Sequence, residues 1–356
     1  MTETYPDATM VSVSTDHHSV AEDAEGNGGK FDVEYFTMCF KLAVGLIGLV
    51  GNLLVVLVLT QLRSHSFKFL IGSQAVIDLL TSSALTIHTF TQIYPGIPYP
   101  VPPPGNNFFG HLHCMFWYSG IFMFCLFAMS TYNLLAITIE RYMAVVHAMW
   151  YRTTFSSKKA MLLGLVAWLL APLIQLIYGL PQYDYKNGQC LYVVLSPTLL
   201  AVLGAMTFFW DFFIPCVIMG VCFTRICLVI YKQDKDARSL QGHEANTMSS
   251  TVSGSVVEKE MGDQPKKKKD SAADMRRSRN VTKTFLIVYL AFVLCWITNQ
   301  VLFLQFNLGG YVHFGRPENH FANSLAILNS ACNPFIYVLH LKQYRDKLKS
   351  FFCGDR

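Results

Sequence analysis

Hydrophobic and polar positions along the chain fall into long blocks. Apolar runs cover about 38–62, 69–91, 115–146, 160–178, 198–231, 281–304 and 319–339. Each reaches the roughly 17 or more residues that an α-helix needs to cross the hydrocarbon core. Seven helices are therefore expected. Runs this long are unlike the short alternating segments of a membrane barrel, and in lipid a helix satisfies its own backbone. After the last run, Leu341 to Phe352 sets an apolar stripe against a basic face, the pattern of a helix lying in the inner leaflet. The fold class expected is an all-α membrane protein, a seven-helix bundle with a short amphipathic eighth helix.

The connectors carry their own signals. Residues 1–35 are acidic and polar and are expected to form a disordered extracellular tail ahead of a transmembrane domain over 36–340. The outer loop from Thr91 to Leu112 holds Pro95, Pro98, Pro100, Pro102, Pro103 and Pro104, and should be stiff and partly polyproline-like. The stretch Tyr183 to Val194 reads as a hairpin around Asn187-Gly188, a favoured two-residue turn. Residues 232–279, serine-rich and charged with Lys266 to Lys269, hold too little apolar surface to fold alone and are expected to be a disordered inner loop. Residues 341–356 complete the chain as amphipathic helix and tail.

Composition agrees with the pattern: 52% hydrophobic and 14% charged residues, where soluble chains carry roughly a quarter charged. Only Lys30, Lys41, Lys186 and Arg316 lie on the side shared with the N-terminus, out of 28 lysines and arginines. The positive-inside rule then places the N-terminus outside and the C-terminus in the cytoplasm. The net charge of +5 is this asymmetry and implies no nucleic-acid partner. No apolar core followed by a small-residue cleavage site precedes the first span, so that span is expected to start insertion. Of ten cysteines, Cys114 and Cys190 sit where an oxidising compartment reaches both, and a disulfide is expected; two unpaired thiols are the alternative. Cys125, Cys216, Cys222, Cys227, Cys295 and Cys332 lie inside spans and read as small packing residues.

Polar residues inside the spans carry the chemistry, because charge at membrane depth is expensive and kept for function. Gly51-Asn52, Asp78, Ser130, Glu140-Arg141-Tyr142, Trp168, Pro215, Cys295-Trp296 and Asn333-Pro334-x-x-Tyr337 occur in seven successive spans. Together they resemble the rhodopsin-like G-protein-coupled receptors, from Tyr35 to Cys353, and the order of the motifs makes the likeness specific. The resemblance implies a receptor that is not an enzyme, with an extracellular ligand, a heterotrimeric G protein, arrestin, receptor kinases and membrane lipids as partners.

An isolated Asp78 needs partners or a raised pKa. Asn329 and Asn333 share a helix face, and Ser130 can add a hydroxyl. Pro334 frees the Ser330 carbonyl, where water or an ion is expected. In the family such a cluster resembles a sodium pocket, which would make Asp78 and Ser130 metal ligands beside Asn52; the alternative is a water-filled network. No other cofactor is expected. By the same resemblance Glu140 latches Arg141 until the sixth helix swings outward, with Trp296, Asn333, Pro334 and Tyr337 as switch residues. Three departures stand out: Ser278 where an acidic partner is frequent, Thr298 in place of a proline, and Phe223 in place of a tyrosine. The first predicts appreciable signalling without agonist.

Met123 stands where aminergic relatives carry an aspartate, so the usual amine site is missing. Asp211, one turn before Pro215, is the leading ligand contact, with His88, Gln92, Asn299, Gln300 and Asn323 expected around the same cavity; the alternative is an Asp211 that only packs. A hairpin roof and acidic tail favour a basic or amidated peptide, with a small cationic amine as alternative. Cys353 is placed for palmitoylation, or is a free thiol. A transporter or channel would want repeated halves or several midplane charges, and an intramembrane enzyme paired acids; neither pattern is present.

Overall fold

A computed structural model describes residues 10–11, 28–61, 66–93, 107–250, 264–310 and 317–353. In chain order the elements are β1 (Met10–Val11), α1 (Gly28–Gln61), α2 (Ser66–Ile93), α3 (Asn107–Leu112) and α4 (Ile121–Val146). Then come α5 (Ala148–Thr154), α6 (Ser157–Gly179), β2 (Tyr183–Lys186), β3 (Gln189–Val193) and α7 (Pro197–Phe208). The chain closes with α8 (Ile214–Ser250), α9 (Gln264–Asn307), α10 (Pro317–His340) and α11 (Lys342–Cys353). Among the described residues, six helical spans are long and apolar enough to cross a membrane: α1, α2, α4, α6, α7 running on into α8, and α9. The seventh, α10, meets α11 at 94°, as an amphipathic helix turning onto a membrane surface would.

Local chemistry explains where the helices deform. Pro215 has no N–H to give the carbonyl of residue 211, and the chain loosens into a π-helical turn over Phe209–Phe213 just before it. A second π turn, His113–Tyr118, ends at Gly120, whose φ of 74° would strain a residue with a side chain and which opens α4. Gly51 serves close approach instead: a Cβ there would lie 2.9 Å from the Pro334 ring, so α1 and α10 pack backbone to ring.

The bundle is apolar inside and out, as lipid requires. Its core holds Val55, Ile137, Met219, Ile226, Phe285, Phe292, Trp296 and Tyr337, while Leu162, Leu169, Leu294 and Val301 face outward. The expected hairpin is present as β2 and β3, paired Tyr183 with Tyr192 through Lys186 with Gln189. Asn187 and Gly188 both take positive φ, as a tight hairpin turn needs. β1 adds to the free edge of β3, giving the order β1-β3-β2.

The connectors differ from expectation. Within 232–279 the structure carries α8 to Ser250 and starts α9 at Gln264, so helix replaces most of the expected disordered loop. Low apolar content forbids a packed core but not a solvated helix continuing one already nucleated in the membrane. Lys232 and Asp236 are spaced to support it along the helix face. Likewise α1 begins at Gly28, inside the expected tail, and the end of the proline-rich loop folds as α3. Residues 94–106, with all six prolines of that loop, lie outside the described residues, as do 12–27 and most of 1–11.

Candidate functional site

Half-way through the bundle a polar network replaces the apolar core. Asp78 is 1% exposed, and Asn333 Nδ2 donates to its Oδ2 at 2.7 Å. Ser130 Oγ donates to Oδ1 at 3.3 Å. Gln74 Nε2 lies 3.1 Å from both carboxylate oxygens and 2.6 Å from Ser130 Oγ. Asn133 Nδ2 donates to Gln74 Oε1 at 2.9 Å, which fixes the amide with its nitrogen toward Asp78. Amide donors thus take up both oxygens. That arrangement does not fit a resident sodium ion, which needs a cradle of oxygens. Nor is the Ser330 carbonyl left to water or an ion: Asn52 Nδ2 reaches it at 2.9 Å from α1.

At the end of α4 the adjacent Glu140 and Arg141 are 0% and 5% exposed. Both oxygens of Glu140 accept from Arg141, and Tyr151 of α5 donates its hydroxyl to the same carboxylate. A buried pair of this kind is weak evidence for stability, but removing one partner leaves a charge stranded, at about 3–5 kcal/mol. Nearby, Arg279 of α9 pairs with Asp234 of α8. Tyr337 Oη is buried with no hydrogen-bond partner among the described residues. Phe223 stacks on Tyr289 instead, with ring centroids 5.4 Å apart. The exposed Thr298 makes no back-bond among the described residues, and α9 runs unbroken past it.

Toward the opposite end, Phe127, Phe212, Phe292 and Trp296 enclose a cavity of about 20 Å³ with Gln175, Asp211 and Gln300, room for about one water. Trp296 stands edge-on to Phe127 at 5.0 Å. Gln175 donates to Asp211 Oδ2. Asp211 Oδ1 and Gln300 Oε1 are buried acceptors with no donor among the described residues. Over this end lies the β2–β3 hairpin. Lys186 Nζ sits 2.9 Å from Asp184, and that hydrogen bond, ahead of opposing burial, holds the Asp184 carboxyl below its ordinary range. Cys114 Sγ donates to the Asp184 carbonyl at 3.4 Å, and Cys114 and Cys190 stand as free thiols where a disulfide was expected. Their mutual influence pushes the Cys114 thiol up and the Cys190 thiol down from ordinary values.

The pattern of the "7 transmembrane receptor (rhodopsin family)" matches residues 51–337. The chain belongs to that family. Among curated relatives, this receptor is 27% identical to the alpha-1A adrenergic receptor of Bos taurus over 84% of its own length. It is 24% identical to neuropeptide receptor 15 of Caenorhabditis elegans, over 89% of this chain and 90% of that one. It is 25% identical to trace amine-associated receptor 7e of Rattus norvegicus, over 87% of this chain and 80% of that one. The receptor spans 64% of the length of the bovine adrenergic relative. The family sets aside the transporter and channel alternatives.

The structure unites some expected site residues of the receptor and separates others. Asp78, Ser130 and Asn333 meet; Asn329 is buried one turn from Asn333 but makes no hydrogen bond to Asp78. Asp211 and Gln300 share the outer cavity, whereas Met123 packs beside Val44, Leu85 and Ile327 toward α1, α2 and α10. Asn299 donates to Asn323 at 2.7 Å, tying α9 to α10 outside the cavity. His88 sits 6.2 Å from Trp117, also outside. The side chains of Gln92, Ser278 and Cys353 lie outside the described residues. Gln74, Asn133, Tyr151 and Gln175 were not foreseen. Gln74 had a signal: it stands four residues before Asp78, on the same helix face.

Proposed function

We propose that this receptor takes up an extracellular ligand that sets a protonated nitrogen against Asp211, and that it activates a heterotrimeric G protein at the Arg141 end as the inner part of α9 moves out. The observation that carries the reading is the pair of unpartnered acceptors, Asp211 Oδ1 and Gln300 Oε1, inside one aromatic cavity. Buried acceptors call for donors, and ring faces favour a cation. The cavity holds only the tip of a ligand, and the β2–β3 hairpin over this end leaves room for the rest of a peptide outside it. A small amine is the second reading, since its ammonium alone would reach Asp211. The receptor sits in the plasma membrane with its N-terminus outside. A disulfide between Cys114 and Cys190, free thiols in this structure but both on the oxidising side, would fasten the hairpin to the third span. Palmitoylation at Cys353, and arrestin and receptor kinases as partners, belong to the same proposal.

The test is a screen of basic and amidated peptides and of biogenic amines against the full chain, read by nucleotide exchange on a G protein. Asp211→Asn should weaken the active ligand at least tenfold, given about 1.5–3 kcal/mol for a hydrogen bond to a charged group. A change within twofold refutes the contact. Exchange that stays flat under every compound, and with Arg141 replaced, refutes the receptor mechanism.

A further inference from the structure

On the outer surface of the bundle, α1, α2 and α6 enclose a groove of about 860 Å³ at the end that carries Arg141. Its walls are apolar: Val56 and Leu59 from α1, Val76 from α2, and Met161, Leu165 and Trp168 from α6. Gly72 and Gly164 open the floor by leaving out side chains, and Trp168 Nε1 is held at 2.8 Å by Ser73 Oγ. Around it Phe69, Leu162 and Leu169 face outward, so the groove opens on lipid.

The mouth is charged in one sense only. Lys68 and Lys158 line it, and no acidic residue does among the described residues. Ser157 begins α6 at the same point, so the N–H groups of that helix's first turn also face the mouth. Depth agrees with a lipid tail. From Lys158 to Trp168 the helix rises about 15 Å, half of the roughly 30 Å hydrocarbon core and so one leaflet deep.

The geometry points to a binding site for an anionic phospholipid, with its acyl chain along Gly72 and Gly164 and its phosphate between Lys68 and Lys158. Basic pockets between spanning helices on the cytoplasmic side recognise such headgroups. A zwitterionic lipid would set the same phosphate between the lysines but offset it with its own ammonium, so it gains less from them, and a sterol has no anionic group to offer. The site rests on the proposed orientation only in that its mouth meets the inner leaflet.

The experiment is native mass spectrometry of the full chain in detergent, supplied with phosphatidylserine, phosphatidylcholine of the same acyl chains, or cholesterol. Phosphatidylserine should be retained in preference, and K68Q/K158Q should reduce that preference about thirtyfold, taking the usual worth of a lysine near an anionic surface. G72L fills the groove where an added Cβ would meet only Leu59, at 3.8 Å. It should lower retention of both phospholipids and leave the lysines in place. Equal retention of the two phospholipids, a preference that survives K68Q/K158Q, retention unchanged in G72L, or retention of cholesterol alone overturns the site. Neither agonist nor G protein enters the measurement, so its failure leaves the ligand reading standing, and the converse also holds.

Discussion

Asn52 and Pro334 form a compensating pair whose coupling can be measured. Pro334 cannot donate to the Ser330 carbonyl, and Asn52 Nδ2 supplies the missing bond at 2.9 Å from a side chain that is 0% exposed. Asn52→Ala removes that donor and strands a buried carbonyl, at about 2 kcal/mol. The small void adds roughly 1 kcal/mol. Loss of the unpartnered Asn52 Oδ1 returns about 1 kcal/mol, so the single variant should be destabilised by about 2 kcal/mol. In a Pro334→Ala background the new backbone N–H can serve Ser330 within α10, and the carbonyl no longer depends on Asn52. The same Asn52→Ala change should then cost close to nothing, a coupling of about 1–2 kcal/mol. The assay is a double-mutant cycle of unfolding free energies for the four chains, by titration with a denaturing detergent. Additivity within about 0.5 kcal/mol would show that the two sites do not share the carbonyl.

Three further outcomes follow from the geometry. Tyr151→Phe removes a hydroxyl from the buried Glu140 carboxylate and should raise agonist-free nucleotide exchange about tenfold, from about 1.5 kcal/mol for a bond to a charged group. Unchanged exchange would remove Tyr151 from the latch. Asp234→Ala breaks a pair whose side chains are 40% and 23% exposed. Such pairs contribute at most about 1 kcal/mol, so exchange should rise less than fivefold, and a rise above that of Tyr151→Phe would reverse the assigned order. Asp184 titrates below its ordinary range, chiefly through Lys186. Its contribution is therefore present above the ordinary carboxylate pKa and is lost as pH falls through the depressed value. Lys186→Met should move the acid loosening of the hairpin to higher pH, read by amide hydrogen exchange of β2 and β3; an unmoved profile would show that the ion pair is idle.

What the sequence could show was set by contrast. A lone Asp78 in an apolar run, or Pro334 after Asn333, stands out against its surroundings, and the convergence of Asp78, Ser130 and Asn333 follows from helices that must bury such groups together. Gln74 and Asn133 carry no charge and lie among other polar residues, so their place at the centre of the network needed the packing of α2 on α4. Met123 shows a different limit. Each residue turns a helix by about 100°, so membrane depth was legible for Met123 while its facing was not. Tyr151 sits on a connector between spans, and its partner, Glu140, is fixed only by how that connector folds. The helical extensions of α8 and α9 were hidden because low hydropathy forbids a core without forbidding a helix. The hairpin was fully legible, since Asn187-Gly188 permits little else.

The unbroken course of α9 changes how force travels through the protein. With threonine rather than proline at 298, the 44-residue helix behaves as a stiff rod, not as two segments joined by a flexible elbow. If it pivots where Trp296 rests on Phe127, the arm down to Gln264 is about 48 Å long. A ten-degree tilt would then sweep that tip by about 8 Å. Small rearrangements around the fulcrum are thus magnified by leverage, and every substitution that softens the rod should shorten the stroke.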